Sequence, residues 1–131
     1  MRLFCYGTLQ FPAVMERVSG SHYGAVPAVL DNYVCYTVRD RLFPGILPAP
    51  GASAKGVLYT GLGQLQLGRL DQFESDFYRR TRVVVSDAQE RPCAAWVYEM
   101  RPECYDLLTD QPWDSAWFGR FHLHSYLQAI G

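Results

Sequence analysis

Hydrophobic and polar positions change period several times along the chain, and each change marks an element boundary. Residues 2–6 are a short apolar-leaning run that predicts a buried strand. Over residues 11–18 the apolar positions Phe11, Val14, Met15 and Val18 share one helical face, with Pro12 suited to the first turn and Gly20 to the stop. Strand-like pieces follow at 23–29, 33–38 and 42–47, the last interrupted by Pro44-Gly45. Pro48, Pro50 and Gly51 read as a turn-rich connection, after which 55–60 resumes as a strand. Prolines at 27, 44, 48 and 50 predict strands that are short, bent or at sheet edges.

Over residues 64–73 the period becomes helical again. Leu62, Leu65, Leu70 and Phe73 fall on one face, Leu67 sits off it, and the helix ends near Glu74. Residues 80–85 and 93–100 predict a β-hairpin joined through the polar stretch 86–92. Residues 114–129 predict one amphipathic helix capped by Asp114, with Trp117, Phe118, Phe121, Leu123, Tyr126 and Leu127 as its apolar positions. Strands and helices do not alternate strictly, which excludes a parallel doubly wound sheet. The order predicts an α+β domain spanning 1–131: a small, mostly antiparallel sheet curled into a partial barrel with helices against it.

Composition narrows the function classes. The chain has 131 residues, 49% of them hydrophobic and 19% charged, enough to fold as one domain with a sizeable core. Twelve basic and thirteen acidic residues leave a formal charge of -1, which argues against a nucleic-acid partner or an anionic membrane. Cys5, Cys35, Cys93 and Cys104 form no C-x-x-C pair, so free thiols in a reducing cytosol are expected. No apolar run reaches the roughly 20 residues of a membrane span, and the opening lacks a signal-peptide layout. A cytoplasmic location is the expectation.

His22 stands alone, and His122 and His124, two apart on a helix, share no face for a metal. Cys5, between Phe4 and Tyr6 in the first strand, reads as a small core residue rather than a nucleophile. No G-x-S-x-G elbow is present, and the glycines match neither phosphate-loop nor dinucleotide spacing. The densest ionisable segment is RLDQFESDFYRR. Within it Leu70 and Phe73 should face the core, and Glu74 follows at the helix end, where the dipole disfavours negative charge. Desolvation would raise its pKa further, toward a general base; the competing reading is a solvated surface Glu. Asp71 should be more exposed, with Arg79, Arg80 and Arg82 available to pair with these acids. In Tyr6-Gly7-Thr8-Leu9, the glycine either ends a strand or lets backbone N–H groups converge on an anion or oxyanion. Phe43-Pro44-Gly45-Ile46 either bends a strand or lines a pocket.

In this order, the pieces resemble the gamma-glutamylcyclotransferase-like superfamily, particularly its gamma-glutamylamine cyclotransferase branch and small bacterial relatives. The resemblance is carried by Phe4-Cys5-Tyr6-Gly7-Thr8-Leu9, Phe43-Pro44-Gly45-Ile46, Gly56-Val57-Leu58-Tyr59, Leu70-Asp71-Gln72-Phe73-Glu74, Tyr78-Arg79-Arg80, Trp96-Val97-Tyr98 and the closing Trp113-Asp114 with Phe121 and Tyr126-Leu127. It implies a small mixed β-barrel with a cavity at one end and peripheral helices. It also implies that Tyr6, Gly7, Thr8 and Leu9 hold a glutamyl group and that Glu74 is the acid/base. Tyr98, and Tyr78 beside it, would contribute hydroxyls to the cavity. The chain departs from the family pattern at Ser75, where glycine is common, and in Gln-Phe-Pro-Ala-Val-Met after Leu9. The implied reaction converts an L-γ-glutamyl amine or peptide to 5-oxoproline and free amine, with no cofactor, metal or nucleotide. A non-catalytic module binding a small metabolite or peptide end is the alternative. The identity of the amine and the oligomeric state stay open.

Overall fold

A long antiparallel hairpin organises the structure. In the computed structural model, which describes residues 1–131, strands β2 (Ala25–Val38) and β3 (Pro44–Tyr59) pair from Ala25↔Tyr59 to Thr37↔Pro44. The pieces expected as separate strands between 23 and 60 are therefore two continuous ones, and Pro48, Pro50 and Gly51 lie inside β3 rather than in a connection. Proline's fixed φ falls within the extended range, so each proline removes a ladder donor without diverting the chain. The register shift comes instead between Asp31 and Tyr33. There Asn32 takes φ 64, and its Oδ1 accepts the Gly51 N–H at 3.1 Å.

The remaining strands close the hairpin into a barrel. Strand β1 (Leu3–Cys5) runs antiparallel to β3, and parallel to β5 (Pro92–Met100) at Leu3↔Trp96. Strand β4 (Tyr78–Asp87) pairs with β5 from Tyr78↔Met100 to Ser86↔Pro92, as the hairpin reading predicted, and meets β2 at Ala28↔Asp87. The circuit β3-β1-β5-β4-β2-β3 is complete, with an unanticipated sixth strand, β6 (Leu108–Pro112), on the outer edge of β2. The architecture is the α+β, mixed and mostly antiparallel barrel with peripheral helices. Where β1 meets β3, a Cβ on Gly56 would lie 2.2 Å from the Cys5 carbonyl oxygen, so only glycine admits the approach.

Alternation along β1 sorts the core into two parts. Phe4 and Tyr6 join Leu30, Ile46, Leu58 and Val97 in a cluster drawn from the barrel and its rim alone. Leu3 and Cys5 face the other way, packing with Val14, Met15, Leu67 and Leu70 from the helices. Helix α1 (Pro12–Ser19) stops at Gly20, φ 82, as expected. Helix α2 (Gln64–Phe73) has the expected extent but a different buried face: Leu67 and Leu70 are buried, whereas Leu65 is 64% exposed. The anticipated C-terminal helix is two, α3 (Ser115–Phe121) and α4 (Leu123–Ala129), broken at His122. Asp114 does cap α3, accepting the Ala116 and Trp117 N–H groups. Within α3 Phe118 is fully buried, while Phe121 is 62% exposed and Trp117 partly so. No helix is long and apolar enough to cross a membrane.

Candidate active site

One end of the barrel holds a cavity of about 160 Å³ where segments distant in sequence converge. The chain leaving β1 supplies Tyr6 through Leu9, and the entry to β3 supplies Phe43 and Pro44. The end of α2 adds Phe73 and Glu74, while β4, β5 and α4 contribute Tyr78, Tyr98 and Tyr126.

Glu74 reaches the cavity because of the face that α2 buries. Leu67 and Leu70 point inward, and a residue four beyond Leu70 continues that stripe. The helix ends at Glu74, whose backbone turns to φ -65, ψ 140 while its N–H still donates to the Leu70 carbonyl at 2.9 Å. No basic side chain pairs with its carboxyl. Glu74 is half-buried in the cavity wall, and burial among the surrounding side chains pushes its pKa up to about 8, aided by the nearby Asp71 carboxylate.

Asp71, on the exposed side of the same turn, is fully engaged. Arg80 donates to it through Nε and Nη2 at 2.9 and 3.2 Å, and the Tyr98 hydroxyl donates at 2.7 Å. The Arg80 guanidinium lies 4.4 Å from the centre of the Trp96 ring, and Arg82 approaches the same ring at 4.9 Å. Of the three arginines considered as partners for the acids, Arg80 is the one that pairs.

Opposite Glu74, Thr8–Gln10 forms a single 3₁₀ turn. Its first backbone bond is from the Gln10 N–H to the Gly7 carbonyl, so the turn supplies no acceptor for the N–H groups of Gly7, Thr8 and Leu9. The carbonyls are tied back instead. Tyr59 donates to the Leu9 and Gln10 carbonyls at 2.7 and 3.1 Å, and Gln10 Nε2 donates to the Tyr6 carbonyl at 2.6 Å. A Cβ on Gly7 would lie 3.1 Å from the Pro44 ring, so glycine lets the two walls meet.

All the residues singled out from sequence (Tyr6, Gly7, Thr8, Leu9, Glu74 and Tyr98, with Tyr78) line this one cavity. Several tyrosine hydroxyls are already committed, Tyr6 to the Tyr98 carbonyl at 2.6 Å and Tyr78 to the Pro44 carbonyl at 2.5 Å. Burial raises the pKa of both phenols and of Tyr98, so all three remain protonated. These side chains present mainly ring surface. Cys5 also borders the cavity, and burial, reinforced by Glu74, pushes its thiol well up, in keeping with a core residue. Phe43 and Pro44 line the pocket, which decides that motif's alternative. Phe73 and Tyr126 were assigned only to helix core; Tyr126 hydroxyl lies 3.4 Å from Thr8 Oγ1. Nothing in the local pattern separates a core tyrosine from a cavity one. The histidines lie elsewhere: His22 faces Glu16 at the surface, and the His122 ring stacks on Trp117.

A family model described as "Gamma-glutamyl cyclotransferase, AIG2-like" matches residues 3–115. Protein AIG2 B of Arabidopsis thaliana is 30% identical over 132 residues, spanning 97% of this chain and 75% of that protein. The curated relatives named alongside it, including AIG2-like protein B, also come from this plant, which runs against the expectation of small bacterial relatives. A solution structure of an Arabidopsis thaliana protein superposes with a TM-score of 0.75 at 22% identity, over 98% of this chain and 87% of that one. A solved gamma-glutamyl cyclotransferase gives 0.67 at 15% identity, over 99% and 85%. These structural likenesses establish a common fold.

Proposed function

Because the chain belongs to the gamma-glutamyl cyclotransferase, AIG2-like family, we propose that it is a γ-glutamyl cyclotransferase in which Glu74 is the acid/base. The observation that carries this reading is an unpaired carboxyl facing a backbone turn with free N–H groups across one small cavity. The substrate's α-ammonium meets Glu74, and its α-carboxylate, or the oxygen of its γ-carbonyl, meets the N–H groups of Gly7 to Leu9. Tyr6 and Tyr98 wall the glutamyl chain on either side.

The chemistry is intramolecular. Glu74 removes a proton from the α-ammonium, and the freed amine attacks the γ-carbonyl carbon, forming the ring C–N bond. The carbonyl oxygen becomes an oxyanion held by the turn's N–H groups, a stabilisation worth about 3–4 kcal/mol per donor in comparable sites. Collapse of this intermediate breaks the bond to the departing nitrogen, which takes the proton back from Glu74; the second proton left on the ring nitrogen then passes through Glu74 to the released amine, which departs as an ammonium. The product is 5-oxoproline. The substrate's α-ammonium sits beside its own carboxylate and is more basic than an ordinary Glu, so a carboxyl raised to about 8 takes its proton at a lower cost than an unshifted one would. Nucleophile and electrophile share one molecule, so the cavity walls need only hold the folded-back conformer. Four cysteines without a disulfide accord with a cytoplasmic setting.

The test is 5-oxoproline formation from a panel of γ-glutamyl amides by wild type and Glu74→Gln. Wild type should turn over at least one of them, and the variant should bind it with little turnover. Full activity in Glu74→Gln would remove that residue's role. Binding without any product would favour a non-catalytic module.

A further inference from the structure

Glu74 is the only charged side chain lining the cavity. Behind it the floor is buried (Leu9, Pro44, Tyr78 and Tyr98), while Phe43, Phe73 and Tyr126 are half-buried at the rim. The Phe43 ring is held in place, its centre 6.3 Å from those of both Phe77 and Tyr78. Arg80 is paired with Asp71, and Arg101, whose Nε donates to the Tyr78 carbonyl at 3.0 Å, does not line the cavity.

We infer that the amine released by this enzyme is uncharged apart from its reacting nitrogen, apolar and preferably aromatic, and that Phe43 with Phe73 and Tyr126 forms its subsite. The inference rests on the cyclotransferase reading above. The glutamyl head consumes the cavity's polar resources, its ammonium against Glu74 and its α-carboxylate or γ-carbonyl oxygen against the turn's N–H groups. At about 10–15 Å³ per water, the volume holds on the order of ten waters. The head alone, with about nine non-hydrogen atoms, takes up most of that space. The rest of the substrate must therefore leave across the rim. A second carboxylate, as in an amino acid or peptide leaving group, finds no basic side chain there. An ammonium, as in a diamine, finds no acid other than the one already in use. A ring finds three aromatic faces or edges.

The experiment compares wild-type kcat/KM on four amides sharing the γ-glutamyl head: the benzylamide, the ethylamide, γ-glutamylglycine and the ε-amide of lysine. All four release alkylamines, so leaving-group activation does not set the order. The benzylamide should exceed the glycine and lysine compounds by roughly tenfold or more, with the ethylamide between. Phe43→Ala should reduce the benzylamide advantage mainly through KM. Equal or better turnover of either charged amide overturns the inference, as does an undiminished benzylamide advantage in Phe43→Ala. If no compound gives 5-oxoproline, the cyclotransferase reading fails instead. Dissociation constants of the four for wild type, measured by calorimetry, then decide the subsite. The same order supports it, and any other order, or no binding, overturns it.

Discussion

The outer and inner faces of the last turn of α2 each carry a carboxylate, three residues apart, and their surroundings give them opposite characters. Asp71 is exposed, gripped by Arg80 and hydrogen-bonded by Tyr98. Glu74 looks into a mostly apolar cavity, has no cationic partner, and holds its proton up to about pH 8. Residue type does not distinguish them; desolvation and partners do. The two are also coupled, since Asp71's negative charge makes Glu74 harder to ionise. Asp71 is thereby engaged by its partners, and Glu74 is left free for the proton transfers proposed above.

The comparison predicts its largest effect in turnover. Glu74→Gln should lower 5-oxoproline formation by roughly 10²–10⁴-fold, as loss of an acid/base does, while Asp71→Asn should cost no more than about tenfold. Steady-state kinetics on both variants check this, and equal losses would break the distinction. Next comes the pH profile. The wild-type kcat/KM should climb through about pH 8 as Glu74 ionises and fall again as the substrate ammonium deprotonates. In Asp71→Asn the neighbouring negative charge is gone and Arg80 is unpaired. Both changes ease ionisation of Glu74, so the rising limb should move to lower pH with the falling limb unmoved.

Stability should report the same group without substrate. The folded-state pKa of Glu74 is raised, so in the unfolded chain it loses its proton earlier, near its ordinary 4.5. Below that value both states are protonated and the group costs nothing. As pH rises to about 8 the folded state binds the extra proton, and stability falls until both states are ionised. Glu74→Gln should therefore melt higher than wild type at pH 9, and the gap should vanish near pH 4 in thermal unfolding scans. The smallest effect is expected from Tyr98→Phe, which deletes only the 2.7 Å bond to Asp71. A loss of about 1 kcal/mol in denaturant unfolding is the expected outcome.

How much was legible beforehand depended on how local the governing contacts are. Helix α1 announces itself through Pro12 and Gly20, and the β4–β5 pair through two apolar runs around a polar stretch, because nearest neighbours decide both. The buried face of α2 was misjudged at Leu65 and Leu67. Leucines at 62, 65, 67 and 70 fit more than one stripe, and only packing against α1 and β1 selects the stripe through Leu67 and Leu70. That selection also aims Glu74 inward. The C-terminal segment shows the same ambiguity: packing against Phe11, Trp113 and Tyr126 holds Phe118 inside while Phe121 stays outside, a choice its aromatic pattern does not contain. The prolines of β3 misled for a different reason. They signal a lost donor, not a lost strand, and pairing with β2 over its full length outweighs them.

By itself the sequence determined the class of fold and the ends of the helices with clear caps, and its resemblance to the family pointed to Glu74 and Tyr6-Gly7-Thr8-Leu9 as the proposed site. The helix ends follow from periodicity and turn chemistry read within a few residues, the proposed site from motifs in their order. Tertiary structure alone decided that these residues share one cavity, that Tyr126 and Phe73 complete it, and that Asp71 is paired with an arginine while Glu74 is not. Closure of β1 onto β3 and β5 brings positions some sixty residues apart and more into contact. The desolvation that raises the Glu74 pKa exists only once that closure has excluded water.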